Sequence, residues 1–215
     1  MSKMNLPNRL TMLRLCLVPV CMALLLLPAS LLRWEIAYGA GLVLFILTSL
    51  TDMFDGKIAR ARNLITNFGK FMDPVADKFM VIGTMMALLF RMLNPAIYGL
   101  AYSTPFVAVY FATVVAIIFR ELAITSLRLV LVNAAGQVVA ANMLGKIKTV
   151  SQITAICALL IEPLIDVLIC HFAPDFFAAH VYPLSWFFVA VTLVFTLWSG
   201  INYIKGGWKL ISTDW

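Results

Sequence analysis

Four aspartates, Asp52, Asp55, Asp73 and Asp77, stand in a stretch otherwise fit for lipid. A carboxylate in hydrocarbon costs at least about 2.5 kcal/mol on insertion scales, so a group of them needs compensation. Asp52 and Asp55 are three residues apart, and Asp73 and Asp77 four apart. In a helix, either spacing puts the two side chains on one face. A short loop separates the pairs, so two adjacent antiparallel helices can bring them together. Alone, converging carboxylates would repel and some would be protonated. With cations they become oxygen ligands of the hard type that Mg²⁺, Mn²⁺ or Ca²⁺ prefer. No His or Cys lies among them, which disfavours zinc. Gly56 and Gly69 remove side chains next to the acids, Ala59 keeps the same face small, and Arg60 offers a planar fork suited to phosphate oxygens. These are the parts of a diphosphate site at a membrane surface. A lone Asp-x₂-Asp would read as a cap or a solvated face. Asp73-Pro74 by itself looks like first-turn chemistry of a helix.

The elements that must position these residues are membrane helices. The chain has 215 residues, 63% hydrophobic and 12% charged, with a mean hydropathy of +0.98. Soluble domains are about 45–50% apolar and about 25% charged, so this chain is solvated mainly by lipid. Apolar stretches of about 20 residues without strict alternation select helices over barrel strands. Six spans are expected, at about 10–32, 36–60, 69–92, 104–132, 143–171 and 181–205, preceded by a short amphipathic N-terminal segment. Together they form one membrane domain over residues 1–215. The N-terminal run Leu15–Leu27 lacks a clear Ala-x-Ala site and reads as a retained span.

Orientation follows from the basic residues. With the N-terminus cytoplasmic, 14 of the 16 Lys and Arg fall at cytoplasmic ends, and only Arg33 and Arg91 fall opposite. Both termini and all four aspartates then face the cytoplasm. The net charge of +6 suits anionic headgroups and anionic substrates. Trp34, Tyr38, Tyr182 and Trp186 read as an outer aromatic belt, and Tyr203 and Trp208 as an inner one. Cys16, Cys21, Cys157 and Cys170 lack metal-type spacing and read as small packing residues, while His171 and His180 read as surface residues. An ion or proton relay would spread its acids through the membrane depth, and no broken-helix pair in two related halves is visible.

Asp52-x₂-Asp55-Gly56-x₂-Ala59-Arg60-x₈-Gly69-x₃-Asp73-x₃-Asp77 resembles the complete signature of the CDP-alcohol phosphotransferases. Asn5-Leu6-Pro7-Asn8-Arg9-Leu10-Thr11 with Arg14, Arg120-Glu121 with Ser126-Leu127-Arg128, and Gly145-Lys146-Ile147-Lys148-Thr149 with Gln152 resemble the bacterial phosphatidylglycerophosphate synthases of that family. The resemblance implies an all-α fold of six spans, usually dimeric, whose cavity opens to the cytoplasm of a bacterial inner membrane. It implies transfer of a phosphatidyl group from CDP-diacylglycerol to an alcohol, with release of CMP. Asp52, Asp55, Asp73 and Asp77 would hold two divalent cations, Mg²⁺ or Mn²⁺, and Asp77 would act as the general base. Asn8, Thr11, Asp52, Gly56, Ala59, Arg60, Gly69 and Asp73 would line the CDP site. Membrane lipids and a second copy of the chain are the expected neighbours, and no nucleic acid is called for.

The acceptor is read from a second basic group. Arg120 lies in an apolar run and calls for an anion. Arg120 and Arg128 are eight residues apart, so they share a helix face, and Lys146 and Lys148 open the next span. The phosphate of glycerol 3-phosphate is such an anion. Arg120, Arg128, Lys146 and Lys148 are therefore the expected acceptor-phosphate residues, although inner-face charge bias alone accounts for Lys148. Cardiolipin synthase and phosphatidylinositol-phosphate synthase share the donor and are the alternatives; phosphatidylserine synthase would use an acceptor without phosphate. Phe119, where the family often has Ala, is expected to narrow the cavity, and the tail from Gly206 reads as an interfacial anchor.

Overall fold

The computed structural model of the chain describes residues 6–61, 66–135, 143–172 and 182–211. Among them it is entirely helical: α1 (Leu6–Leu25), α2 (Trp34–Ala61), α3 (Asn67–Leu93), α4 (Pro95–Tyr98), α5 (Thr104–Ala135), α6 (Met143–Phe172) and α7 (Pro183–Ile211). Five of these, α1, α2, α5, α6 and α7, are long and apolar enough to cross a membrane. The remaining long helix, α3, carries Asp73, Asp77, Lys78 and Arg91 along its 27 residues.

Two expected boundaries move. The first helix ends at Leu25 rather than near residue 32. Pro28 has no N–H to continue the ladder, Arg91 donates to the Leu25 carbonyl, and residues 28–32 form a separate turn on the Pro28 carbonyl. Residues 6–9, expected as a lead-in segment, are the first turn of α1 itself. The break at Asn94-Pro95 holds the short α4, closed by Gly99 in the left-handed region at φ 74°.

Lipid supplies no hydrophobic drive between helices, so close packing and interhelical hydrogen bonds must hold the bundle. Helix α1 runs parallel to α3, with Thr11 against Asp73 at one end and Leu25 against Arg91 at the other. Its second half lies close to α2 and α3 because Gly41 and Gly83 have no side chains. A Cβ at Gly41 would stand 2.8 Å from Leu25 Cδ2, and one at Gly83 would stand 2.7 Å from Met22 Sδ. Tyr110 of α5 donates to the Met85 carbonyl of α3 at 3.1 Å. Thr192 of α7 donates to the Ser151 carbonyl of α6 at 2.9 Å. At the other end of that pair the N–H groups of Leu184 and Ser185 donate to the Glu162 carboxylate at 2.7 and 2.6 Å, capping α7. Phe45, Met80, Met85, Leu88, Ile117, Leu159 and Val189 fill the interior between these seams.

The helix directions gather the polar residues at one end of the bundle: the start of α1, the end of α2, the start of α3, the end of α5 and the start of α6. Tyrosines and tryptophans collect at the other end, where the expected belt is corrected. Tyr38 and Tyr182 are buried rather than interfacial, and Tyr182 packs on Tyr102 with ring centroids 4.9 Å apart. Arg91, counted among outer-face charges, is 2% exposed, its guanidinium 4.9 Å from the Tyr38 ring and 4.7 Å from the Tyr98 ring. Cys21 is buried and Cys157 partly so, both free thiols, while Cys16 is exposed. The side chains of Cys170, His171 and Trp208, and all of His180, lie outside the described residues.

Candidate functional site

The site begins where α3 starts. Thr66 is its N-cap, with an extended backbone, and its hydroxyl accepts from the Gly69 N–H at 3.1 Å. The same hydroxyl donates to Asn8 Oδ1 at 2.8 Å, so one side chain caps α3 and ties it to α1. One turn further along α1, Thr11 Oγ1 donates to Asp73 Oδ1 at 2.7 Å. Asn8, Thr11 and Arg14 recur every three residues and are all buried, forming the face of α1 turned into the bundle. Gly69 sits within this joint. A Cβ there would lie 3.3 Å from both Asn8 Oδ1 and Thr66 Oγ1 and 3.7 Å from Asp73 Oδ2. Glycine keeps that space beside the carboxylate open.

This geometry corrects one sequence expectation. Asp73-Pro74 is not first-turn chemistry: Thr66 starts α3 earlier, and Pro74 lies inside the helix. Asp73 and Asp77 are one turn apart on α3 and both half-buried. Asp52, Asp55, Gly56, Ala59 and Arg60 lie on the C-terminal turns of α2, and their side chains are outside the described residues. Among the described residues no three His, Cys, Asp or Glu side chains converge. Of the four expected carboxylates, Asp73 and Asp77 are the two whose side chains are described. Oxygen donors with open space beside Asp73 fit a hard divalent cation.

A second cluster lies on the same end. Glu121 of α5 is the hub. Its Oε1 accepts from Arg120 at 2.9 Å and from the Lys148 ammonium, and its Oε2 lies 3.8 Å from Lys78 Nζ. Lys78 also donates to Thr125 Oγ1 at 2.6 Å. The Lys148 side chain is 6% exposed, Arg120 14% and Lys78 36%, so the cluster opens outward at Lys78. Arg120 Nε is buried without a hydrogen-bond partner. Lys78 follows Asp77 directly in α3, so the carboxylate and cation clusters adjoin on the same turn of that helix. The two clusters thus meet at Asp77.

The expected acceptor residues separate. Arg120 and Lys148 come together on Glu121. Arg128 is exposed, with its Nε 3.4 Å from the Tyr203 hydroxyl. The Lys146 side chain lies outside the described residues. Lys148, which charge bias alone accounted for, is the most buried of the described cations in this cluster. Phe119, expected to narrow the cavity, is 70% exposed. Sequence reasoning missed Thr66 and Lys78. Thr66 was legible as an N-cap three residues before Gly69. Lys78 was counted only as an inner-face charge, although it abuts an intramembrane acid.

Comparison with known proteins bears on the whole arrangement. The sequence model of the CDP-alcohol phosphatidyltransferase family matches residues 4–198. The chain is 40% identical over 98% of its length to a Bacillus subtilis (strain 168) CDP-diacylglycerol–glycerol-3-phosphate 3-phosphatidyltransferase, covering 98% of that protein. It is 33% identical over 94% of its length to the Escherichia coli (strain K12) protein of the same name, covering 93% of it. A Shigella flexneri serotype 5b protein of that name is 32% identical over 94% of the chain and 93% of its own length. The match spans both clusters and every long helix: this chain is a multi-pass membrane protein of the CDP-alcohol phosphatidyltransferase family.

Proposed function

We propose that the chain transfers the phosphatidyl group of CDP-diacylglycerol to the hydroxyl of sn-glycerol 3-phosphate, giving phosphatidylglycerophosphate and CMP. The observation that carries this reading is the meeting of the two clusters at Asp77. A carboxylate site suited to a nucleotide diphosphate adjoins, along α3, a cation cluster suited to a second phosphate. The near full-length likeness to relatives bearing the corresponding name supports the same acceptor.

In the proposed reaction Asp77 accepts the proton of the acceptor hydroxyl. The hydroxyl oxygen bonds to the phosphorus that carries diacylglycerol. The bond from that phosphorus to the oxygen bridging it to CMP breaks, and CMP leaves with the electron pair. Asp52, Asp55, Asp73 and Asp77 would hold two divalent cations, Mg²⁺ or Mn²⁺, which neutralise diphosphate charge and stabilise the leaving phosphate. Asn8, Thr11, Gly56, Ala59, Arg60 and Gly69 line the nucleotide side. Thr11 fixes the orientation of Asp73, and Gly69 lets the diphosphate approach. Arg120, Arg128, Lys146 and Lys148 serve the acceptor phosphate.

The supporting topology is six spans in one domain, with α3 as the sixth. Both termini and the site face the cytoplasm at a bacterial inner membrane, in keeping with the 14 basic residues at that face. The family resemblance supports a homodimer as the working unit.

The test is product identification. Purified full-length chain is given CDP-diacylglycerol with glycerol 3-phosphate, phosphatidylglycerol, inositol phosphate or serine, with and without EDTA. CMP release with glycerol 3-phosphate alone is expected, and EDTA should abolish it. Turnover with another acceptor in preference would overturn the substrate assignment, and turnover that survives EDTA would overturn the metal assignment.

A further inference from the structure

Three cations, Lys78, Arg120 and Lys148, converge on the single carboxylate of Glu121. With the Asp77 charge taken up by the divalent cations proposed above, one negative charge against three positive leaves the cluster with an excess of two. Excess charge of that size, with Arg120 and Lys148 largely buried, is expensive in a membrane protein unless something completes it. A phosphate monoester carries about −1.5 to −2 at neutral pH, so it is the anion that closes this balance. A neutral alcohol closes none of it, and a phosphodiester headgroup only half.

The geometry supports that partner in two further ways. Lys78 pairs weakly with Glu121, at 3.8 Å, and is the most exposed of the three cations, so its ammonium can turn to an incoming ligand. Thr125 supports Lys78 from below: its hydroxyl accepts from Lys78 at 2.6 Å and donates to the Glu121 carbonyl at 2.7 Å. The cluster is thus pre-assembled from α3, α5 and α6 before any ligand arrives, which lowers the ordering cost of binding.

We infer that Lys78 is a further ligand of the acceptor phosphate. Glu121 is a positioning residue that gathers Lys78, Arg120 and Lys148 and sets the charge excess at the value a phosphate monoester neutralises. This deepens the function proposed above and rests on it. It also explains why a lysine directly follows the proposed base: on α3 the side chains of Asp77 and Lys78 diverge by about 100°. One helix turn can thereby serve both the reacting hydroxyl and the phosphate of the same acceptor.

The test uses the purified full-length chain in detergent with CDP-diacylglycerol, following CMP release. Wild type, Lys78→Gln, Lys78→Arg, Glu121→Gln and Glu121→Asp are each titrated with glycerol 3-phosphate, glycerol and phosphatidylglycerol. Lys78→Gln should raise KM for glycerol 3-phosphate about tenfold or more, with KM for CDP-diacylglycerol within twofold of wild type, and Lys78→Arg should recover most of the loss. Glu121→Gln should raise the same KM, and Glu121→Asp should restore it in part. A KM for glycerol 3-phosphate unchanged in Lys78→Gln overturns the inference. So does an equal rise in both KM values, which a merely structural role would give. If Glu121→Gln does not fold, the half-exposed Lys78 pair decides alone. Preference of the wild type for phosphatidylglycerol or glycerol would instead sink the proposed function itself, a separate result from any Lys78 variant.

Discussion

Both ends of this bundle bury a cation, and they satisfy it in opposite ways. At the aromatic end Arg91 is enclosed by two tyrosine rings and donates to the carbonyls of Leu25 and Tyr98. Among the described residues no carboxylate pairs with it. Its partners are rings and backbone, fixed parts of the fold, and they fasten the end of α1 to α3 and α4. At the polar end, three cations share one carboxylate and keep capacity in reserve. A guanidinium surrounded by neutral partners is a joint. Cations outnumbering their acids make a seat for an anion. Charge burial alone would have ranked Arg91 above Arg120 and Lys148, since it is more buried than either. The stoichiometry of partners separates the two roles.

The comparison can be broken by substitution, beginning with the largest effect. Asp77→Asn at the polar end should lower kcat for CMP release by about a hundredfold or more, the usual scale of general-base removal, with the protein still folded. Activity within a few-fold of wild type would remove Asp77 as the base. Arg120→Ala should raise KM for glycerol 3-phosphate by about tenfold or more, because the phosphate loses a fork-shaped partner. An unchanged KM would show that Arg120 belongs with Arg91 as a joint. Arg91→Met should do the reverse: unaltered KM values, but a loss of about 1–3 kcal/mol from leaving two carbonyls unsatisfied. Thermal unfolding in detergent reads that loss, and a changed KM with unchanged stability would erase the contrast drawn above. The smallest effect is expected at the joint beside Asp73. Thr66→Ala removes the α3 cap and the bond to Asn8, at about 1 kcal/mol, and should lower stability slightly with a few-fold loss of kcat. Gly69→Ala, which crowds Asn8 and Thr66 instead, should impair CDP-diacylglycerol binding more than Thr66→Ala does.

Much of this was legible in the sequence. Apolar runs too long for a soluble core located every long helix. The spacing of Asp52, Asp55, Gly56, Ala59, Arg60, Gly69, Asp73 and Asp77 singled out the junction of α2 and α3 as the proposed site. Helix ends were less legible, because Leu25 stops α1 through a partner, Arg91, that is 66 residues away. Side-chain burial among like charges was the least legible. Lys148 and Arg128 look alike as basic residues near the inner face, yet only tertiary packing puts Lys148 against Glu121 and leaves Arg128 exposed. The aromatic residues misled for a related reason: Tyr38 matches a belt by position but is drawn inward by the guanidinium it stacks on.

The Glu162 carboxylate has a consequence for how the chain is made. It sits within an apolar span, and its partners are the first amides of the helix that follows. Until α7 is in place, α6 carries an acid with nothing to hold, a poor passenger for insertion on its own. The last two helices should therefore enter the bilayer as a hairpin. A nascent chain halted before Pro183 should remain only loosely integrated, extractable by alkaline carbonate, and become resistant once synthesis passes Ser185.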